Sequence, residues 1–203
     1  MGIDCQQAGL IDALCETAVE AGVRIMAYFG PAACEVSYKE DLSPLTLADT
    51  AADGVICEAL ARLHPNTPVV SEECLPPEEI DVTGEFFLVD PLDGTKEFIK
   101  KGTDFTVNIA LIRGGQPVMG VVYAPALDAL YTGVVGQGAR MRERADGPWR
   151  PIHVRDRPAD GRITAVASRS HNNPETDFYL ARFDVAERVS VGSSLKFCLV
   201  AKG

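Results

Sequence analysis

The hexapeptide Asp90-Pro91-Leu92-Asp93-Gly94-Thr95 sets two carboxylates three residues apart on a tight turn, directly after the apolar run Phe86 to Val89. Left alone, two such groups repel each other, so a hard cation is their natural guest. Magnesium takes oxygen ligands in near-octahedral geometry and keeps some of its water. Asp90 could bridge two ions, Asp93 could hold the second, and the Leu92 carbonyl could complete the first. Gly94 leaves no side chain where a phosphate must approach the backbone, and the free N–H groups of a following helix would cradle it. Asp, Pro and Gly are also the commonest turn residues, so the hexapeptide by itself fits an ordinary turn as well.

Other polar groups bear on the choice. Ser71-Glu72-Glu73 follows Val69-Val70, so a second strand end also carries acids, and both strands could deliver carboxylates to one sheet edge. A solvated acidic loop is the plainer reading of a Glu pair. Asp49, near the start of an expected helix, complements the macrodipole there and needs no catalytic role for that. Ser193-Ser194 opening a helix, with Lys196 close behind, reads as an anion site. His171, just before Asn172-Asn173-Pro174, reads on its own as a polar residue flanking a helix.

Elements of two kinds must position these groups. Leu10, Leu14, Ala18, Ala21 and Ile25 recur at three- and four-residue steps and predict a helix that Gly30-Pro31 breaks. A second helix is expected over Leu47–Leu63, with Ala51, Val55, Ala59, Leu60 and Leu63 on its apolar face, Thr46 as N-cap and Asp49 in the capping-box position. Strands follow: Pro68 to Ser71, Phe86 to Asp90, then Thr106 to Ile112 and Val118 to Tyr123 around Gly114-Gly115. Leu130 to Val135 and a further strand flank Gly136-Gln137-Gly138. Helices followed by a largely antiparallel sheet make an α+β pattern. Gly, Pro and charge accumulate over 145–162. Beyond that the order is strand (Ile163 to Ala167), helix (Pro174 to Phe183), strand (Arg188 to Val191) and a helix from Ser193, the pattern of a small parallel α/β unit. The expected division is 1–145 and 146–203.

Composition narrows the partners. The 203 residues are 46% hydrophobic, enough for a sizeable core, and carry a formal charge of −10, which repels the backbone of a nucleic-acid polymer. A small anionic substrate remains compatible when bound metal offsets the field. The six cysteines form no CxxC pair and no zinc-ligand spacing, the N-terminus carries no basic-then-apolar signal, and no apolar run reaches the roughly 18 residues of a membrane span. A cytoplasmic place is expected, with attachment at the inner face of the membrane left open.

Lys39 to Asp49 (KEDLSPLTLAD) resembles the KxDxSPxTxAD element of the inositol monophosphatase superfamily. Val70-Ser71-Glu72-Glu73 and Leu88 to Thr95 resemble its next two signatures, in the same order. Lys96-Glu97-Phe98-Ile99 and Gly192-Ser193-Ser194-Leu195-Lys196-Phe197 are similar to the CysQ-type branch of 3′(2′),5′-bisphosphate nucleotidases. The resemblance implies a layered α/β sandwich of the inositol monophosphatase/fructose-bisphosphatase type and a magnesium-dependent, lithium-sensitive phosphohydrolase. Its substrate would be adenosine 3′,5′-bisphosphate, with the 5′-phosphosulfate relative as a second. It further implies that Glu72, Asp90 and the Leu92 carbonyl hold one Mg2+ and that Asp90 and Asp93 hold another. Thr95 would orient the attacking water, and Asp49 would take its proton. Glu72, Leu92, Asp93, Gly94 and Thr95 would surround the phosphate, and His171, Ser193 and Lys196 would contact the nucleotide.

One departure accompanies it. The family continues past the equivalent of Lys202 into a WDxxA-type helix start, whose Asp completes the second magnesium site. The chain ends at Gly203, and its single tryptophan, Trp149, is not in such a motif. The expectation is a second domain that is incomplete here, from a truncated member or an incomplete gene model. Two alternatives stand beside the nucleotidase: an inositol or sugar monophosphatase, and a catalytically impaired protein that binds metal or nucleotide.

Overall fold

The computed structural model describes residues 5–29, 36–38, 44–74, 81, 83–169 and 173–203, with side chains described from residue 8 onward and not for 36–38 or 44–46. Helix α1 (Cys5–Ala27) is followed by the short antiparallel pair β1 (Val36–Tyr38) and β2 (Pro44–Thr46), then by α2 (Leu47–Leu63). A sheet of seven strands comes next: β3 (Val69–Ser71), β4 (Glu85–Asp93), β5 (Thr106–Arg113), β6 (Gln116–Ala124), β7 (Ala129–Val134), β8 (Gly138–Arg142) and β9 (Arg150–Ile152). They lie in chain order, antiparallel throughout except that β3 runs parallel to β4. The five-residue helix α3 (Thr95–Ile99) interrupts them after β4. Strands β10 (Ile163–Ser168) and β11 (Val185–Val191) then pair in parallel around α4 (Pro174–Leu180), and α5 (Leu195–Lys202) closes the chain. This is the layered α+β sandwich that the sequence predicts.

Alternation builds β5, an inner strand of the sheet. Val107, Ile109 and Leu111 of β5 are buried in the main core, which also holds Leu14, Ala18 and Ile25 of α1 and Ala52, Ile56 and Leu60 of α2. Asn108 and Ala110 take the other phase and are half-buried. On α1 the expected face is the buried one. On α2 it is rotated: Ala48, Ala52 and Ile56 are buried, Ala51 and Val55 only half-buried, and Leu63 exposed. Polar and apolar residues are spread around that helix, with Asp49 on the buried side and Leu47 and Leu63 exposed, so periodicity alone could not choose its inner face.

Several bounds also differ. β4 runs three residues past the expected end at Asp90, into the hexapeptide as far as Asp93, and β11 starts three residues before Arg188. Helix α4 ends at Leu180 rather than Phe183. Strand β9, within the stretch over 145–162 where Gly, Pro and charge accumulate, was not expected; its Pro151 is tolerated at this edge position, where no ladder partner is needed on one side. A second, smaller core joins Tyr131, Met141 and Ile152 of the sheet to Leu195 and Cys198 of α5. Among the described residues, no helix is long and apolar enough to cross a membrane.

Candidate active site

Pro91 has no N–H to donate, and the β4–β5 ladder is interrupted there. Asp90 pairs with Asn108, the next paired residue is Asp93 with Thr106, and the register shifts between them. The irregularity brings both carboxylates to one end of the strand. Gly94 then turns the chain with φ 93°, in the left-handed region. A Cβ at Gly94 would stand 2.7 Å from the Asp104 carbonyl oxygen, so the position is closed to other residues on packing grounds as well. Helix α3 is held behind this turn by an aromatic cluster, with Phe98, Phe105 and Phe29 ring centroids 5.1–5.4 Å apart.

Glu72 arrives from the neighbouring strand. The parallel register sets Ser71 against Val89, and the Glu72 N–H donates to the Val89 carbonyl at 3.1 Å, which places Glu72 beside Asp90. The Ser71 hydroxyl, itself buried, donates to Asp53 of α2 and accepts from the Glu73 N–H, fixing the loop from behind. Burial pushes the Asp90 carboxyl up to about 8, aided by the charges of Asp93 and Glu72 and by a hydrogen bond with Glu72. Its Oδ1 is buried and has no hydrogen-bond partner among the described residues.

That orphaned oxygen, in a neighbourhood of like charge, fits a hard cation. Glu72, Asp90, Asp93 and the Leu92 carbonyl supply oxygen donors of the type magnesium prefers. They are not drawn into a closed cage: among the described residues, no three or more His, Cys, Asp or Glu side chains are grouped as a metal site. Thr95 donates its hydroxyl proton to the Leu92 carbonyl oxygen at 3.1 Å. Asp49, in the first turn of α2, is only 5% exposed, so a solvated helix-end acid does not describe it.

The second group of expected residues lies on a turn between β11 and α5. Ser193 is buried with φ 53°, and its Oγ accepts from the Leu195 N–H. Lys196 donates from Nζ to the Ser193 carbonyl oxygen. His171 lies outside the described residues. The next residue, Ser194, joins this turn to the sheet: its Oγ donates to Asn108 Oδ1 at 2.6 Å and lies 2.8 Å from Thr106 Oγ1. Asn108 and Thr106 are the ladder partners of Asp90 and Asp93.

The inositol monophosphatase family model matches residues 6–203 of this chain. The chain belongs to the inositol monophosphatase family. It is 47% identical over 197 residues to the 3′(2′),5′-bisphosphate nucleotidase CysQ of Salmonella typhimurium, covering 96% of this chain and 77% of that protein. To the CysQ of Buchnera aphidicola it is 41% identical over 196 residues, covering 96% of this chain and 72% of the relative. Among solved structures, CysQ from Bacteroides thetaiotaomicron superposes with a TM-score of 0.78 at 35% identity, covering 100% of this chain and 79% of that one. An inositol monophosphatase of Thermotoga maritima reaches a TM-score of 0.80 at 22% identity, with coverage of 96% and 73%, which speaks for the fold alone.

Within this family, magnesium dependence is general. Sequence reasoning found the acids and the two turns but missed what connects them. Asn108 gave a signal that could have been used, a lone amide inside the apolar strand Val107 to Ile112. Thr106, Asp104 and Arg169 gave none.

Proposed function

We propose that this chain is a magnesium-dependent phosphohydrolase that removes the 3′-phosphate of adenosine 3′,5′-bisphosphate, giving AMP and phosphate. Its 5′-phosphosulfate relative is a second substrate of the same chemistry. The observation that carries the reading is the seam between Ser194 and Asn108, because it sets the nucleotidase-type turn next to Asp90. The matched relatives that bear the nucleotidase name support it over nearly the whole chain.

Glu72, Asp90 and the Leu92 carbonyl would hold one Mg2+, and Asp90 and Asp93 a second. Bound there, magnesium supplies an acidified water and neutralises the phosphate charge. Thr95 orients the attacking water, and Asp49 takes the proton. The Thr95 hydroxyl has one hydrogen, which it donates to the Leu92 carbonyl, so a relay would have Thr95 Oγ take the water's proton as its own hydrogen leaves for Asp49. Gly94 lets the phosphate approach the backbone, and Ser193, Lys196 and His171 contact the nucleotide. We divide the chain into a metal-binding domain over 1–145 and a nucleotide-binding part over 146–203.

An inositol or sugar monophosphatase would share the acidic edge but make no use of the second turn. A metal- or nucleotide-binding protein of impaired activity is the remaining alternative. Phosphate release from adenosine 3′,5′-bisphosphate and from inositol 1-phosphate separates all three. We expect kcat/KM to favour the nucleotide by at least about 100-fold, with inhibition by lithium at levels where sodium does little. Equal rates would indicate the monophosphatase, and binding without turnover the impaired protein.

A further inference from the structure

Asp104 lies between α3 and β5, is 8% exposed, and has no part in the chemistry set out above. Its carboxylate is shared between two segments distant in sequence. Oδ2 accepts the Gly192 N–H at 3.0 Å and lies 2.9 Å from Nη1 of Arg169. Nη2 of Arg169 donates in turn to the Ser190 carbonyl at 2.9 Å. Arg169 directly follows β10 and Gly192 directly follows β11, so one carboxylate ties down the C-terminal ends of both strands of the parallel pair.

The backbone of Asp104 is equally committed. A Cβ on Gly94 would stand 2.7 Å from its carbonyl oxygen, and a Cβ on Gly192 would stand 2.9 Å from the same atom. The turn that carries the acids and the turn that carries Ser193 therefore pack on a single residue. A buried carboxylate is costly to desolvate and persists where its hydrogen bonds are made; beside a local one from Thr103 Oγ1 at 3.4 Å, those from Gly192 and Arg169 span the seam.

We propose that Asp104 is a positioning residue that sets the span between the acidic edge and the Gly192–Ser194 turn, and so the preference for a nucleoside bisphosphate over a small phosphate monoester. The inference rests on the nucleotidase reading. A compact monoester needs only the acidic edge, whereas a nucleoside bisphosphate must meet both turns at once. Removing the Asp104 charge takes the ion pair from Arg169 and weakens the hold on the Gly192 N–H, and only the longer substrate feels the altered span.

The test compares Asp104→Asn and Asp104→Ala with the unaltered chain, using adenosine 3′,5′-bisphosphate and p-nitrophenyl phosphate with saturating magnesium. Calorimetry measures Mg2+ affinity, and also bisphosphate affinity with calcium in place of magnesium, which gives the comparison without turnover. In Asp104→Asn we expect KM and Kd for the bisphosphate to rise about tenfold, with kcat held within about twofold. Turnover of p-nitrophenyl phosphate and Mg2+ affinity stay unchanged, and Asp104→Ala shows the larger effect. Should the alanine variant fail to fold, the near-isosteric asparagine variant carries the comparison. Equal losses on both substrates would mean a general structural role and overturn the proposal, as would no change on either. An unaltered chain that cleaves p-nitrophenyl phosphate but neither binds nor cleaves the bisphosphate sinks the nucleotidase reading, and the proposal falls with it.

Discussion

The two turns that meet at β5 are built on opposite principles. At Asp90-Pro91-Leu92-Asp93, like charges crowd together, one carboxylate oxygen has no hydrogen-bond partner among the described residues, and a carboxyl is driven far from its ordinary range. At Gly192-Ser193-Ser194, the polar groups are answered within the protein: Gly192 N–H by Asp104, Ser193 Oγ by Leu195, and Ser194 by Asn108 and Thr106. The first is unfavourable as it stands and gains from a cation. The second is complete as it stands and serves to place something else. Perturbed ionisation thus marks the chemical turn, while satisfied hydrogen bonds mark the positioning turn.

The largest expected effect comes from relieving the crowded turn. Asp90→Asn should lower phosphate release by more than about 1,000-fold, yet leave the metal-free protein as stable as before or more so. The same contrast appears on titration. With its pKa raised from 3.8 to about 8, Asp90 binds its proton more tightly in the folded chain than in the unfolded one. Its stabilising contribution is therefore full below pH 3.8 and is lost as pH rises to about 8. Thermal melts in EDTA between pH 5 and 9 should show a falling Tm in the unaltered chain and a flatter profile in Asp90→Asn. Identical profiles would remove Asp90 as the source of the strain.

A smaller but still large effect is expected where the acidic turn faces the water. Thr95→Ala and Asp49→Asn should each reduce kcat by at least about 100-fold with little change in KM. The double variant should be scarcely worse than the more damaged single one, because groups acting as a unit are not additive. Additive losses in steady-state kinetics would return Asp49 to the role of a buried helix-end acid.

The smallest effect belongs to the satisfied turn. Ser194→Ala leaves Asn108 Oδ1 without its described donor, a loss of about 1 kcal/mol in stability, and should raise KM for the nucleotide a few-fold without touching kcat. A fall in kcat to match would mean that the two turns act as one catalytic unit, and the contrast between them would collapse.

Much of this was legible from the chain itself, for reasons that are local. Pro91 must break a ladder, Gly94 must permit a positive φ, and Val107 to Ile112 must bury alternate residues; each depends on neighbours within a few positions. Where local signals balanced, the reading went astray: α2 spreads polar and apolar residues around its circumference, and β9 lies in a stretch rich in Gly, Pro and charge. Asp104 is the clearest case of what tertiary structure alone decided. Nothing in Gly102-Thr103-Asp104-Phe105 announces a buried carboxylate, because its partner Gly192 lies 88 residues away. Ser194 reaches Asn108 across 86 residues in the same way. The sequence determined which residues carry charge and where the backbone must turn, since those follow from side-chain chemistry and short-range sterics. Which carboxylate is left wanting a cation and which is satisfied was decided only when β3, β4, β5 and the Gly192 turn came together, because burial and hydrogen-bond partnership are properties of the packed chain.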